Sequence, residues 1–386
     1  MQIKRSVGIV GGGPGGLTLA RLLVTRGIPT TVFELDEHAL ARPQGGSLDL
    51  HAESGQRALR EAGLAAGFQA LARYDDQYDA IYDPQGVLHF EHSGASDGSG
   101  ASGDRPEIDR TQLRQLLLDS LPQGVIRWGS KVTGAEPTAD GRCRVLGEQG
   151  ALGAFDLVVG ADGAWSRVRP LLSAAVPAYT GVVFIELQLD DVDTRHPELA
   201  ALVPRGKVSV VGRSQALIAQ RSSSGHVRAY YMFRTPEERL ARGLLDLSSP
   251  ARARAELRAL LPGWAPALLR FIDACSDTIQ VRPIVALPVG HRFTHRPGVT
   301  LLGDAAHVMP PFAGEGVNMA MLDALELALR LAEHADWDEA VAGYEERMFT
   351  RAAAAAADSV QGLDFVSDDA LAHVLEHFRT IGDTAA

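Results

Sequence analysis

Glycines in the segment Gly11-Gly12-Gly13-Pro14-Gly15-Gly16 fall between a short apolar run ending in Ile9-Val10 and a stretch from Leu17 to Arg26 with helical spacing of apolar residues. That placement, at a strand-to-helix turn, restricts the fold more than any other feature of the chain. Gly11 there allows the tight turn, Gly13 lets the backbone approach a pyrophosphate, and Gly16 lets helix and strand pack closely. The helix N-terminus, with Pro14 and Gly15 at its opening, presents free N–H groups and positive dipole to phosphate. A second apolar run, Thr30 to Phe33, ends in Glu34, eighteen residues beyond Gly16, where a carboxylate is expected to meet an adenosine ribose hydroxyl. One glycine motif is weak evidence; strand, turn, helix, strand and acid in that order specify a βαβ dinucleotide-binding unit over about residues 5 to 35.

The chain has 386 residues, room for two domains or for one large domain with an insertion. Its composition, 46% hydrophobic and 22% charged, is that of an ordinary globular protein. No apolar stretch approaches the roughly 20 residues that span a bilayer. Met1-Gln2-Ile3-Lys4-Arg5 runs into the first strand without room for a cleavable signal, so a cytoplasmic location is expected. A net charge of −11, from 37 basic and 48 acidic residues, disfavours nucleic acid and anionic membranes as partners. Cys143 and Cys275 are too few and too isolated for a disulfide framework or a metal site.

Further along, Tyr78 to Tyr82 and Gly86 to Phe90 read as short strands, and Ser93 to Gly103, rich in Ser, Gly and Ala, as a mobile surface loop. A helix opens at Asp109-Arg110, with Leu113, Leu116, Leu117 and Leu121 as its apolar stripe. Asp156 to Gly163 reads as a buried strand running into a glycine turn. Val182 to Leu189, Lys207 to Val211, Ala216 to Arg221 and His226 to Phe233 alternate as strands of an antiparallel sheet. Helical spacing covers Ala251 to Cys275, Val317 to His334 and Trp337 to Val360, and parallel-strand character returns at Val299 to Asp304. The expected fold class is α/β: a Rossmann-like nucleotide-binding domain with an inserted domain built on an antiparallel sheet and a C-terminal helix. The boundaries expected are 1–75, 104–175 and 280–340 for the first, 76–103 and 176–279 for the second, and 341–386 for a C-terminal helical segment.

A second motif, Gly303-Asp304-Ala305-Ala306-His307, is followed by Pro310-Pro311 and by Gly314-Glu315-Gly316-Val317-Asn318. Pro310-Pro311 forces an extended entry, Gly314 and Gly316 permit backbone N–H groups to turn inward, and a helix begins near Val317. With Asp162-Gly163 and the glycine turn, these residues resemble the group A flavoprotein monooxygenases, related to the para-hydroxybenzoate hydroxylase fold. Within that family the chain is similar to the tetracycline-inactivating monooxygenases, a likeness carried by Gly45-Gly46-Ser47-Leu48-Asp49-Leu50-His51, Glu107-Ile108-Asp109-Arg110, Thr235-Pro236-Glu237 and Gly303 to Asn318.

The resemblance implies an FAD-dependent oxidoreductase that consumes NADPH or NADH and O2. It also implies a flavin 4a-hydroperoxide that delivers one oxygen atom to an electron-rich aromatic or polycyclic small molecule. Tetracycline-like compounds lead, with antibiotic resistance as the corresponding role, and by the same likeness the protein is a monomer. No catalytic side chain or metal is required, since the flavin carries the chemistry. By resemblance Asp304 accepts a hydrogen bond from the ribityl chain, Arg110 and Arg114 lie near the phosphate and ribityl region, and Asp162 organises that region and is linked to nicotinamide binding. Pro311, Gly314, Gly316, Val317 and Asn318 bring a helix N-terminus to the flavin pyrimidine edge, where it stabilises charge on reduction. Two arginines within one helical turn suit phosphate, and at least one is expected to contact the cofactor. His307 is better read as a packed residue than as an acid or base. Leu35 stands where relatives often carry an arginine, which bears on one adenine-side contact.

The substrate pocket is expected between the flavin edge and the inserted sheet, with Glu186, Val208 or its neighbour Lys207, Arg228, Tyr230, Pro311, Phe312 and Gly314 as walls. Tetracycline-modifying relatives carry glutamine, arginine and histidine where this chain has Glu186, Lys207 or Val208, and Arg228, a change in charge and hydrogen-bond pattern. Arg228 is equally readable as an ordinary exposed strand residue. A flavin halogenase lacks support, because the tryptophans at 128, 165, 264 and 337 form no Trp-x-Trp motif. A flavin-dependent oxidase or reductase, and a non-catalytic drug-binding flavoprotein, are the remaining alternatives.

Overall fold

The computed structural model describes residues 5–42, 45–76, 78–92 and 105–376; the Ser93 to Gly103 stretch lies outside them. Over the described residues the chain divides into two compact units. One is drawn from Met1–Ala72, Arg110–Ala178 and Val285–Val360, the other from Arg73–Asp109, Tyr179–Ile284 and Gln361–Ala386.

The first unit is built on a five-stranded sheet in the order Val299–Leu301, Leu157–Gly160, Val7–Val10, Thr30–Phe33, Ile126–Arg127. Every neighbouring pair in it is parallel. Two of its central strands, Leu157–Gly160 and Val7–Val10, are buried along their whole length because both faces are covered, the condition parallel sheets require. The helix Pro14–Thr25 joins two adjacent strands and packs against the helices Arg110–Asp119 and Gly316–Glu333. A three-stranded antiparallel sheet, Val132–Pro137, Cys143–Gly147 and Gly150–Phe155, also belongs to this unit. Phe155 at its end meets Phe33 edge-on, ring centroids 5.8 Å apart.

The second unit holds a seven-stranded sheet in the order Gln280–Ala286, Ala178–Leu189, Val227–Arg234, Gln215–Arg221, Lys207–Gly212, Asp79–Tyr82, Leu88–His92. The strands expected between 182 and 233 are present and antiparallel, but Lys207–Gly212 pairs with Asp79–Tyr82 in parallel. Period-2 alternation sends Val183, Ile185, Leu187 and Leu189 to one face, where Leu257, Leu268 and Phe271 cover them. Those residues lie on two helices, Pro250–Ala259 and Pro266–Ala274, where the sequence suggests one run; Pro262 and Gly263, the latter at φ +79°, separate them. On the opposite face Ile81 and Val211 pack with Ala370 and Val374.

The two units meet the expected boundaries at different places. Gln280–Ala286, expected to begin the last piece of the nucleotide domain, joins the seven-stranded sheet for most of its length. The expected C-terminal segment 341–386 divides near residue 360. The helix Trp337–Gln361 is held to the first unit, where Tyr344 Oη donates to Leu301 O at 2.9 Å and Thr300 Oγ1 donates to Glu345 Oε1 at 2.7 Å. Among the described residues no helix is long and apolar enough to cross a membrane.

Candidate functional site

The glycine turn is fixed by sterics. Gly11 has φ +110°, and a Cβ there would run into the carbonyl oxygen of Ala161, just past the end of the neighbouring strand. A Cβ at Gly16 would run into the Gly11 carbonyl oxygen and lie 3.3 Å from Ala161 Cβ. Gly15 makes a further close approach, since its Cβ would lie 3.1 Å from Ala320 Cβ on the helix Gly316–Glu333. Gly13 differs from all three: a Cβ would meet nothing within 4 Å. Its backbone therefore faces open space at the helix N-terminus, where Leu17 N–H makes the first helical bond to Gly13 O and the N–H groups of Gly15 and Gly16 precede it.

Two carboxylates flank this turn. Glu34 is buried and accepts from Gly12 N–H at 2.6 Å and Asp36 N–H at 2.9 Å, so the acid at the end of the second strand is locked beside the glycines. Asp162 Oδ2 accepts from Arg167 N–H at 2.6 Å, whereas its Oδ1 is buried with no hydrogen-bond partner among the described residues. Desolvation raises the Asp162 pKa, with Ser166 and backbone N–H groups opposing.

Two expected cofactor residues hold protein instead. Arg114 is buried, and its guanidinium donates to Ala39 O at 2.6 Å, to Gly12 O at 3.3 Å and to Asp36 Oδ2 at 3.2 Å while lying over Trp128. Its role in the structure is to fix the turn and the segment after Glu34. Arg110, exposed at the start of the same helix, is the one whose charge reaches Asp304. The Asn318 side chain is likewise consumed: Oδ1 accepts from His51 N–H at 2.9 Å, and Nδ2 donates to Asp49 O at 3.0 Å. Its backbone is another matter. Met319 N–H makes a helical bond to Glu315 O, so Gly316, Val317 and Asn318 form the open first turn of an 18-residue helix. Pro311–Ala313 forms a single 3-10 turn carrying half-buried Phe312, and Gly314 follows at φ +67°.

Gly303, at φ +57°, lets its strand turn directly into the short helix Asp304–His307. Asp304 is open to solvent, yet the surrounding protein raises its pKa by desolvation, opposed by the charges of His307 and Arg110. An accessible carboxylate at the end of a parallel strand can accept from a ligand hydroxyl. Beneath it lies a buried network that the sequence did not reveal. Asp323 Oδ2 accepts from Gly303 N–H at 3.0 Å and lies 2.6 Å from His307 Nε2, and Oδ1 accepts from Arg351 at 2.8 Å. His307 is thus a packed residue, as expected. Asp304→Ala is expected to leave the apoprotein's melting unchanged and to weaken FAD retention by roughly ten- to a hundred-fold, the value of a charge-assisted hydrogen bond. Flavin occupancy after gel filtration checks this, and full occupancy with unchanged affinity would remove Asp304 from the site.

In the second unit, strand register decides which expected substrate residues share a face. Glu186 pairs with Tyr230, and Tyr230 with Ile218, so these lie together. Phe184, two residues from Glu186, has its ring 6.2 Å from that of Tyr230. Arg228 is on this face too and donates to Glu186, which also accepts from Arg282. Val208 is not. It pairs with Ala219 and Ala80 and is buried in the apolar core on the opposite face. The choice of Val208 is therefore corrected to its neighbour Lys207, which lies on the polar face 3.2 Å from Asp79.

The open space at Gly13, the unpartnered Asp162 oxygen, the locked Glu34 and the open first turn at Gly316 lie in a parallel-sheet unit and fit an elongated dinucleotide such as FAD. They define a dinucleotide-binding protein. The family model described as FAD binding domain matches residues 4–359, and the chain belongs to that family. Monooxygenase penA of Penicillium thymicola is 33% identical over 404 aligned positions that cover 90% of this chain and 91% of the relative. Klebsiella pneumoniae HpxO, solved with FAD and uric acid, is similar with a TM-score of 0.80 at 22% identity, covering 97% and 92% of the two chains. Tetracycline destructase Tet(51) shares the fold with a TM-score of 0.73 at 18% identity, covering 98% and 96%. The protein is an enzyme, an FAD-dependent monooxygenase.

Proposed function

We propose that this monooxygenase uses NADPH or NADH and O2 to hydroxylate an aromatic or polycyclic, oxygenated small molecule, with tetracycline-like compounds first among the candidates. The first unit holds FAD and the second recognises substrate. What supports the substrate reading is the tilted ring pair Phe184–Tyr230 beside Glu186 and Arg228, aromatic area with polar groups in register on one sheet face. Ligand sites combine such apolar area with a few placed polar groups. When bound, FAD supplies electron transfer and oxygen activation. The chain's own residues orient the ring system and keep water away from it.

The test is mass spectrometry of tetracycline incubated with FAD-loaded protein, NADPH and air, beside a control without enzyme. A product one oxygen heavier, formed only with enzyme, is expected. Intact tetracycline with substrate-stimulated NADPH consumption would move the search to other aromatic compounds. NADPH oxidation that no aromatic compound stimulates would favour an oxidase or reductase, and no NADPH oxidation at all a binding protein. With any accepted substrate, Tyr230→Ala is expected to raise KM about five- to thirtyfold through loss of roughly 1–2 kcal/mol of ring contact, with flavin content unchanged. An unchanged KM would take Tyr230 out of the site.

A further inference from the structure

Glu186, only 3% exposed, is held between two guanidinium groups: Arg228 donates to one carboxylate oxygen and Arg282 to the other. The three side chains stand on three adjacent strands, Arg282 outermost, Glu186 in the middle and Arg228 inside. Neither arginine is filled by this arrangement. The side chain of Arg228 is 13% exposed, and Glu186 is its only acceptor among the described residues, so most of its five donors are left without one. Arg282 is 52% exposed and donates otherwise only to Gln280 Oε1, at 2.7 Å. Glu107, a further carboxylate in this unit, is turned to Gln220, whose Nε2 lies 3.1 Å from both of its oxygens. Both side chains keep some exposure, and Arg228 lies two residues from Tyr230 on the same sheet face.

We infer that Arg228 and Arg282 form a clamp for a planar pair of anionic oxygens, that Glu186 is the positioning residue that sets it, and that the substrate is a ring system carrying a carboxylate. This rests on the reading of the face as the substrate site and shifts its first candidate, since tetracyclines carry a carboxamide where the clamp calls for a carboxylate. A buried carboxylate between two arginines fixes the direction of both forks, so little ordering remains when a second carboxylate arrives. A guanidinium with donors left over, already oriented by a buried carboxylate, favours a charged, bidentate acceptor over a neutral one. Arg282 is the residue through which the preference is expressed, because it lies open at the sheet edge.

The experiment uses FAD-loaded protein and a matched pair of probes, 1-hydroxy-2-naphthoic acid and 1-hydroxy-2-naphthamide, titrated by calorimetry. The acid is expected to bind roughly ten- to a hundred-fold more tightly than the amide. Arg282→Met should remove most of that preference and leave the amide's affinity unchanged, while Arg282→Lys, which keeps charge without the fork, restores part of it. Flavin content and melting temperature identify any variant that has failed to fold. An acid that binds no better than the amide, or not at all, overturns the inference, as does a preference that survives Arg282→Met. Tyr230→Ala separates the two levels. If it weakens both probes while no acid preference exists, the face still binds rings and only the clamp is wrong. If neither Tyr230→Ala nor Arg282→Met changes the binding of either probe, the substrate reading of this face fails as well.

Discussion

Gly13→Ala is expected to yield a correctly folded apoprotein that has lost most of its affinity for FAD, whereas Gly11→Ala is expected to destabilise the chain before any cofactor is added. The two positions are two residues apart and differ in what a methyl group would meet. Gly13 has φ −79° and ψ 177°, which alanine adopts freely, and nothing lies within 4 Å of the added Cβ. Loss of backbone freedom in the unfolded chain should even raise stability by about 0.4–1 kcal/mol. The methyl would instead occupy the space through which a pyrophosphate approaches the backbone. Overpacking there costs about 1–3 kcal/mol, roughly a five- to 150-fold loss of affinity. At Gly11 both the positive φ and the collision with Ala161 O oppose a side chain, and together they cost about 2–5 kcal/mol. That is a large part of the roughly 5–15 kcal/mol by which domains are stable. Melting of the apoproteins and flavin titration of each would check the pair. A Gly13→Ala protein that melts as low as Gly11→Ala, or that retains flavin fully, would contradict this account.

The same contrast shows what was legible in the sequence. The glycine turn, the strand ending at Glu34, the four strands between 182 and 233 and the late helices are carried by local pattern, in which period and turn residues agree. The small antiparallel sheet at 132–155 was not legible, because it buries little: in Val132–Pro137 only Ala135 is buried, so the alternation is faint. The strand Gln280–Ala286 escaped for another reason. Pro283 argues against a central strand, and this one is at the sheet edge, where proline is tolerated. Arg282, on that strand, was lost with it. Val208 was misplaced by strand phase, since a shift of one residue exchanges the faces. Arg114 and Asn318 were legible as polar residues near the cofactor segments, but whether their donors were already filled depends on residues tens to hundreds of positions away, such as Ala39 and Asp49. The Asp323 network was hidden on the same ground: its members at 303, 307, 323 and 351 meet only in the folded chain.

Replacing Asp323 is expected to give the largest loss of stability among conservative changes in the first unit and to reverse part of its pH dependence. Asp323→Asn keeps the shape and removes the charge that Arg351 and His307 face. Breaking a buried pair by removing one partner costs about 3–5 kcal/mol, and the Gly303 turn would lose its charged acceptor as well. Arg351 would retain Glu326, at 3.0 Å. For His307, desolvation acts to lower the pKa, but the charge and hydrogen bond of Asp323, with help from Asp304, outweigh it and hold the value above the ordinary one. Its contribution to stability is therefore complete below about pH 6.5 and is lost as pH rises through the raised folded-state value. For Asp323, burial works to raise the pKa, but His307, Arg351 and the Gly303 N–H hold it below the ordinary value. Its contribution is complete above about pH 3.9 and is lost as pH falls through the depressed value. In the variant, desolvation acts on His307 without the Asp323 charge, so the alkaline loss should vanish and stability should rise as pH climbs through about 6.5. Denaturant midpoints for both proteins from about pH 5 to pH 9 measure the difference in slope. His295, whose pKa is raised by Glu345 and Asp338 against desolvation, is common to both proteins and cancels in that difference. Equal slopes would show that the charge of Asp323 does not set the protonation of His307.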